Sequence, residues 1–282
     1  MALLGKDRIE YKTNAEMLQI RKAALIVAQI HRELAAAVRP GITTAELDAI
    51  ALQVLRSNGA KSNFFGYYDY PAQTCISVND TVVHGIPGAQ TLAPGDIVSL
   101  DCGAVLHGWH GDACFTAVVP GGDEKKRKER ERLSHITRTA MWHGIAAMAT
   151  GKYVRDIGSA IDDYVMTLSP EIRPDIVLDF IGHGIGTRMH QAPDVMNYRT
   201  RGKSPRLKSG MVLCIEPILT AGKQDNYTLA DGWTVKTKDG SDACHWEHEV
   251  ALHDRGIWVL SAPDGGAQEL AQFDIVPVLP GQ

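Results

Sequence analysis

The chain has 282 residues, and its 29 Lys plus Arg against 33 Asp plus Glu leave a formal net charge of −4. That balance gives no electrostatic reason to bind nucleic acid or an acidic membrane surface, and 44% hydrophobic with 22% charged residues excludes wholesale disorder. No apolar run approaches the roughly 18–20 residues of a membrane span, residues 1–7 hold too short an apolar run for a signal peptide, and the five cysteines form no CxxC pair. A cytoplasmic protein with reduced thiols is therefore expected, built as a single domain over 1–282 or as two halves.

Ile20, Ala24, Val27, His31, Leu34 and Val38 recur at helical spacing, and Pro40-Gly41 stops that run. Thr43-Thr44-Ala45-Glu46 has capping-box spacing and predicts a second helix, ended by Asn58-Gly59. Shorter β-rich runs follow at 74–78, 96–105 and 114–119. Residues 123–132 are dense in both charge signs, which predicts a solvated connection running into a helix. The pattern then recurs. Leu34 to Gly41 is echoed by Gly144 to Gly151, with helices expected from about 44 and about 155. Leu92-Ala93-Pro94-Gly95 before an apolar strand ending in Asp101 resembles Leu207-Lys208-Ser209-Gly210 before one ending in Glu216, at the same offset. Two related halves, about 12–122 and 130–262, with a short tail after about 262, fit this echo. Runs of helices beside runs of strands favour an α+β fold.

The chemistry-bearing residues sit in unusual places. Asp101 ends the apolar run Ile97 to Leu100, where a charge costs several kcal/mol unless a cation or hydrogen bonds compensate it. Asp112 follows a glycine-rich reversal and could face Asp101 across a hairpin; an edge-strand acid plus a turn acid is the plainer alternative. Glu216 ends a second apolar strand. In His245-Trp246-Glu247-His248-Glu249-Val250-Ala251, alternation places Glu247, Glu249 and Ala251 on one face, or else forms an exposed polar edge. Alternation cannot choose between the two glutamates. His183 lies within Gly182-His183-Gly184-Ile185-Gly186, with His190 and His84 in further glycine- or proline-flanked segments. The glycine run does not meet G-x-G-x-x-G, which argues against a dinucleotide loop, and no G-x-S-x-G elbow is present. Carboxylates plus one imidazole suit Mn, Fe(II), Co or Zn.

Together these segments resemble type I methionine aminopeptidases of the bacterial form. The motifs are Cys75-Ile76-Ser77-Val78-Asn79 with His84-Gly85-Ile86-Pro87, Asp101-Cys102-Gly103, His110-Gly111-Asp112, Gly182 to Gly186, Ile215-Glu216-Pro217, Asp231-Gly232-Trp233-Thr234 and Trp246-Glu247-His248. The resemblance runs from about 10 to about 262. It implies the pita-bread fold, with antiparallel sheet covered by helices. It also implies hydrolysis of N-terminal methionine from nascent proteins when the second residue is small, with two divalent metal ions (Co, Mn, Fe, Zn or Ni) activating a bridging hydroxide. Carried over by residue, the implied metal ligands are Asp101, Asp112, His183, Glu216 and Glu247. Glu216 is then the candidate proton shuttle, His190 the oxyanion stabiliser and His84 the contact to the scissile amide. The implied methionine pocket is Tyr67, Tyr70, Cys75 and Trp233. Glu249 is expected to be peripheral. Phe64 and Met189 depart from the Cys and Phe common in bacterial relatives. The partners implied are nascent polypeptides and, transiently, the ribosome; neither nucleic acid nor membrane is expected, and the chain is expected to be a monomer. An X-Pro aminopeptidase on the same fold, which usually carries a larger N-terminal domain, and a binding module that has lost its metal ligands are the other readings.

Overall fold

The computed structural model describes residues 8–278, so the opening segment judged against a signal peptide lies outside the described residues. Helix α1 (Asn14–Ala37) starts earlier than its apolar spacing suggests, because Thr13 and Glu16 close a capping box ahead of it. The predicted box at Thr43 forms as well and starts α2 (Thr44–Ser57). There the Thr43 amide donates to Glu46 Oε2 at 2.8 Å, and the Glu46 amide donates to Thr43 Oγ1 at 3.2 Å. The first half also supplies β1 (Lys61–Ser62), β2 (Thr74–Val78), β3 (Thr81–Val83), β4 (Ile97–Leu106) and β5 (Trp109–Val118). Strand β5 begins before the run expected at 114, because Gly111 lets the hairpin pass close under α1. A Cβ there would stand 2.4 Å from the Ala24 nitrogen.

The charged segment leads into α3 (Glu124–Thr150), followed by α4 (Arg155–Thr167). Arg130 is the exception to its solvated surroundings. It is buried, donating to both Asp242 carboxylate oxygens at 2.7 and 2.8 Å and to the Gly95 carbonyl at 2.6 Å. The second half continues with β6 (Asp175–Ile176), β7 (Gly182–Gly184), β8 (Gln191–Val195), β9 (Val212–Ile215), β10 (Ile218–Thr220), β11 (Asn226–Thr228), β12 (Val235–Thr237), β13 (Ala243–His245), β14 (Glu247–His253) and β15 (Gly256–Val259). A short α5 (Ala267–Leu270) closes the described chain. The segment read as a tail is packed: Leu270 is buried in the main core, with Phe273 and Ile275 against it.

Strands from both halves share one nine-stranded antiparallel sheet, in the order β1-β4-β5-β14-β9-β7-β8, with β2 added to β4 and β15 to β14. Two three-stranded sheets, β13-β10-β6 and β11-β12-β3, flank it. Val98, Leu100, Cys102 and Ala104 of β4 pack with Val27, Ile30 and Leu34 of α1 and Leu47 of α2. Leu213 and Ile215 of β9 and Val250 of β14 pack with Met141, Ile145 and Ile161 of α3 and α4. Helices thus cover one face of the sheet in both halves, giving the α+β architecture expected. The other face carries the acids.

Candidate metal centre and substrate pocket

Antiparallel partners lie on the same face of a sheet. Asp101 is opposite Cys114, Cys114 is opposite Glu247, and Gly103 is opposite Asp112. Three strands, β4, β5 and β14, therefore direct Asp101, Asp112 and Glu247 to one place. A carboxylate oxygen of each lies within 4.8 Å of the others. The same alternation brings Cys214 and Glu249 to this face, since those two residues are paired. Glu216 follows at the end of β9, and its Oε1 is 3.4 Å from His183 Nε2. His183 reaches in from β7, whose glycines let that strand lie close to its neighbours. A Cβ at Gly182 would be 2.2 Å from the Cys214 carbonyl oxygen. The five residues proposed as ligands therefore form one contiguous group.

This group is costly as it stands. Asp112 and Glu247 are buried, and one carboxylate oxygen of each of Asp101, Asp112, Glu216 and Glu247 lacks a hydrogen-bond partner. Among the described residues, no lysine or arginine forms an ion pair with any of the four. Burial raises Asp101 to about 7, and burial together with repulsion from neighbouring acids pushes Asp112, Glu216 and Glu247 well above the usual carboxylate range. His183 donates from Nδ1 to the Gly184 carbonyl at 3.0 Å, which leaves its Nε2 lone pair facing Glu216. A metal-ligating histidine is usually held in this way. Orphaned oxygens, mutual repulsion and a free imidazole nitrogen all fit divalent cations of hard-to-borderline character.

The wall beside this group is aromatic. His190 lies with its ring centroid 4.3 Å from that of His183, and its Nδ1 is 2.8 Å from the Tyr67 hydroxyl. His84 holds a left-handed backbone at φ 57°, with its ring edge-on to Phe180 and Trp233. Desolvation lowers both His84 and His190 to about 4, although His190 keeps one side open to solvent. The expected pocket residues also converge. Tyr70 and Cys75 are buried with Phe64, Ala72 and Met189, and Tyr67, Ile86 and Trp233 pack against them. Tyr70 anchors this wall by donating to the Thr74 and Gly85 carbonyls at 3.0 and 3.1 Å.

The structure corrects the reading of Glu249 as peripheral. Its strand is central, between β5 and β9, and its side chain is fully buried. Its Oε2 accepts the Asp112 amide at 3.2 Å, while Lys12 and Arg21 lie near enough to moderate its raised pKa. Sequence reasoning also passed over His245, whose Nε2 is 3.9 Å from Glu216 Oε2, and Cys214. The signal for Cys214 was its parity with Glu216 along one strand.

The model of metallopeptidase family M24 matches residues 18–254. The chain is 44% identical over 264 residues to methionine aminopeptidase 1 of Mycobacterium tuberculosis, covering 92% of this chain and 97% of that one. The crystal structure of methionine aminopeptidase from Rickettsia prowazekii superposes with a TM-score of 0.84 at 32% identity, over 90% of this chain and all of that one. Prolidase from Pyrococcus furiosus shares the fold alone, with a TM-score of 0.69 at 22% identity, over 89% of this chain and 65% of that one. No described helix is long and apolar enough to cross a membrane.

Proposed function

Since the chain belongs to metallopeptidase family M24, we propose that it removes N-terminal methionine from polypeptides whose second residue is small, nascent chains at the ribosome being the natural source. Methionine aminopeptidase activity is carried by the likeness over nine-tenths of the chain. The observation that supports the catalytic reading is the convergence of Asp101, Asp112 and Glu247, each with an unpartnered carboxylate oxygen. Together with His183 and Glu216 they would hold two divalent ions, Co, Mn, Fe, Zn or Ni. When bound, such ions supply a hydroxide nucleophile near neutral pH and polarise the scissile carbonyl.

The remaining steps belong to the protein. The wall of Tyr67, Tyr70, Cys75 and Trp233, backed by Phe64 and Met189, takes the thioether side chain, which suits a polarizable apolar lining. His84 and His190 are neutral at pH 7, so each acts as a hydrogen-bond partner and not as a fixed charge. With the Tyr67 hydroxyl donating to Nδ1, His190 carries its proton on Nε2 and donates it to the developing oxyanion. His84 positions the scissile amide. Glu216, at the end of β9 beside His183, would take a proton from the attacking water and pass it to the leaving amine. Both halves of the chain serve as one catalytic unit, since each supplies ligands to the same sheet face.

Met-Ala-X and Met-Leu-X peptides, assayed with Mn(II), Co(II) or Fe(II) before and after chelation, test this reading, with Ala-Pro as control. Fast, chelator-sensitive cleavage of Met-Ala-X alone is expected. Equal rates on Met-Leu-X would defeat the small-residue rule, and full activity after chelation would defeat the metal requirement.

A further inference from the structure

We propose that Cys214 supplies a thiolate ligand to one of the two metal positions, so that a soft donor triad of His183, Cys214 and Glu247 adjoins the hard triad of Asp101, Asp112 and Glu247. This rests on the metallopeptidase reading and adds a sulfur donor to it.

Three observations lead there. A ring nitrogen of His183, the sulfur of Cys214 and a carboxylate oxygen of Glu247 all lie within 4.8 Å of one another, and all three residues are buried. Cys214 is on the acid-bearing face of β9, beside β14 and paired with Glu249. Glu247, 3% exposed, keeps one carboxylate oxygen unpartnered, and the Cys214 thiol lies against that carboxylate. The plainer role for Cys214 is as a small apolar filler beside Val212, Ala251, Met17 and Ile20. A filler, however, does not need to converge with an imidazole nitrogen and an orphaned carboxylate. The other buried cysteines have different surroundings. Cys114 shares the acid-bearing face between Asp101 and Glu247 but donates to the His245 carbonyl at 3.5 Å, Cys75 lies in the aromatic wall, Cys102 packs among apolar residues on the helix-covered face, and Cys244 lies among hydroxyls.

Tetrahedral donors at about 2.0–2.3 Å from an ion stand roughly 3.3–3.8 Å apart. The three atoms therefore need only close inwards around the cation. The thiol gives up its proton on binding, and that proton leaves to solvent. Sulfur ligation favours Zn and Co over Mn. Glu247 belongs to both triads, so the two positions share a carboxylate.

The test uses the full chain, stripped of metal and titrated anaerobically with Co(II), reading the absorption spectrum and bound cobalt together. A sulfur-to-cobalt charge-transfer band in the near ultraviolet is expected. It should be lost in Cys214→Ser and Cys214→Ala while cobalt still binds, and kept in Cys114→Ser. The preference for Zn(II) over Mn(II), measured as a ratio of dissociation constants, should fall about tenfold in Cys214→Ser. Bound cobalt with no such band in the unsubstituted protein overturns the proposal whatever the variants do, as does a band that survives in Cys214→Ser. Failure to bind cobalt at all would overturn the metallopeptidase reading of these residues and this proposal with it.

Discussion

Asp112 and Glu249 touch through a backbone amide, and that contact alters what substitution at either glutamate of β14 should do. Glu247→Ala removes a carboxylate common to both donor groups, so bound metal and Met-Ala-X cleavage should both fall below detection in metal analysis and assay. Glu249→Ala leaves the donor atoms in place but strips the Asp112 amide of its acceptor. It should cost about 1–3 kcal/mol in denaturant unfolding and weaken metal retention far less than Glu247→Ala. Metal loss equal to that of Glu247→Ala would make Glu249 a ligand. His190→Ala should behave differently again. An oxyanion donor is typically worth about 10²–10³ in kcat, so single-turnover rates should drop by that factor with metal content unchanged. Loss of metal would place His190 among the ligands.

At the scale of elements, α3 bears on the site through Arg130. Its guanidinium joins this helix to Gly95 at the turn before β4 and to Asp242 just before β13. Both strands border the acid cluster or its flanking sheet. Arg130→Ala leaves Asp242 and Asp96 without their cation, and breaking a buried pair in this way costs about 3–5 kcal/mol. The midpoint of urea unfolding should fall accordingly, while the same change at the exposed Lys128 should move it by less than about 0.5 kcal/mol. Equal effects would show that α3 is held by its apolar face alone. The charge run announced a helix, but nothing local marked one arginine of the run as buried, because its partners lie 35 and 112 residues away in the chain.

For the whole molecule, the acid cluster links stability, pH and metal. The Asp101 carboxyl is raised from an ordinary 3.8 to about 7 by burial. Between those values this carboxyl is more protonated in the folded, metal-free protein than in the unfolded chain. The contribution of this carboxyl is therefore fully present below pH about 4 and is lost as pH rises through about 7, whereas the buried histidines His84, His183, His190 and His245, lowered to about 3 or 4, contribute in the opposite sense below their ordinary 6.5. Metal binding opposes this, contributing about 2.7 kcal/mol at a hundredfold excess over the dissociation constant. Thermal scans should show that added Mn(II) or Co(II) raises Tm more at pH 8 than at pH 5, because a carboxyl must lose its proton to take a cation. A Tm that ignores metal at both values would disprove this account of the cluster.

Much of this protein was legible in its sequence, because the signals were local. Apolar spacing and capping residues marked α1 and α2, β propensity marked β2 and β4, and acids at the ends of apolar strands stood out because a charge is costly there. Glycines on either side of His183 told of close backbone approach, which β7 requires. Only the tertiary structure decided the rest. Whether Glu249 is rim or interior depends on which strands lie beside β14, and β5 and β9 come from different halves of the chain. Cys214 gained its neighbours from β7 and β14 in the same way, and residues after 262 became core through Leu270. Period and propensity are properties of a few successive residues, whereas strand order and register are set by burial across the whole sheet. Acids in costly places could be read from the chain; that Glu249 lies buried among them could not.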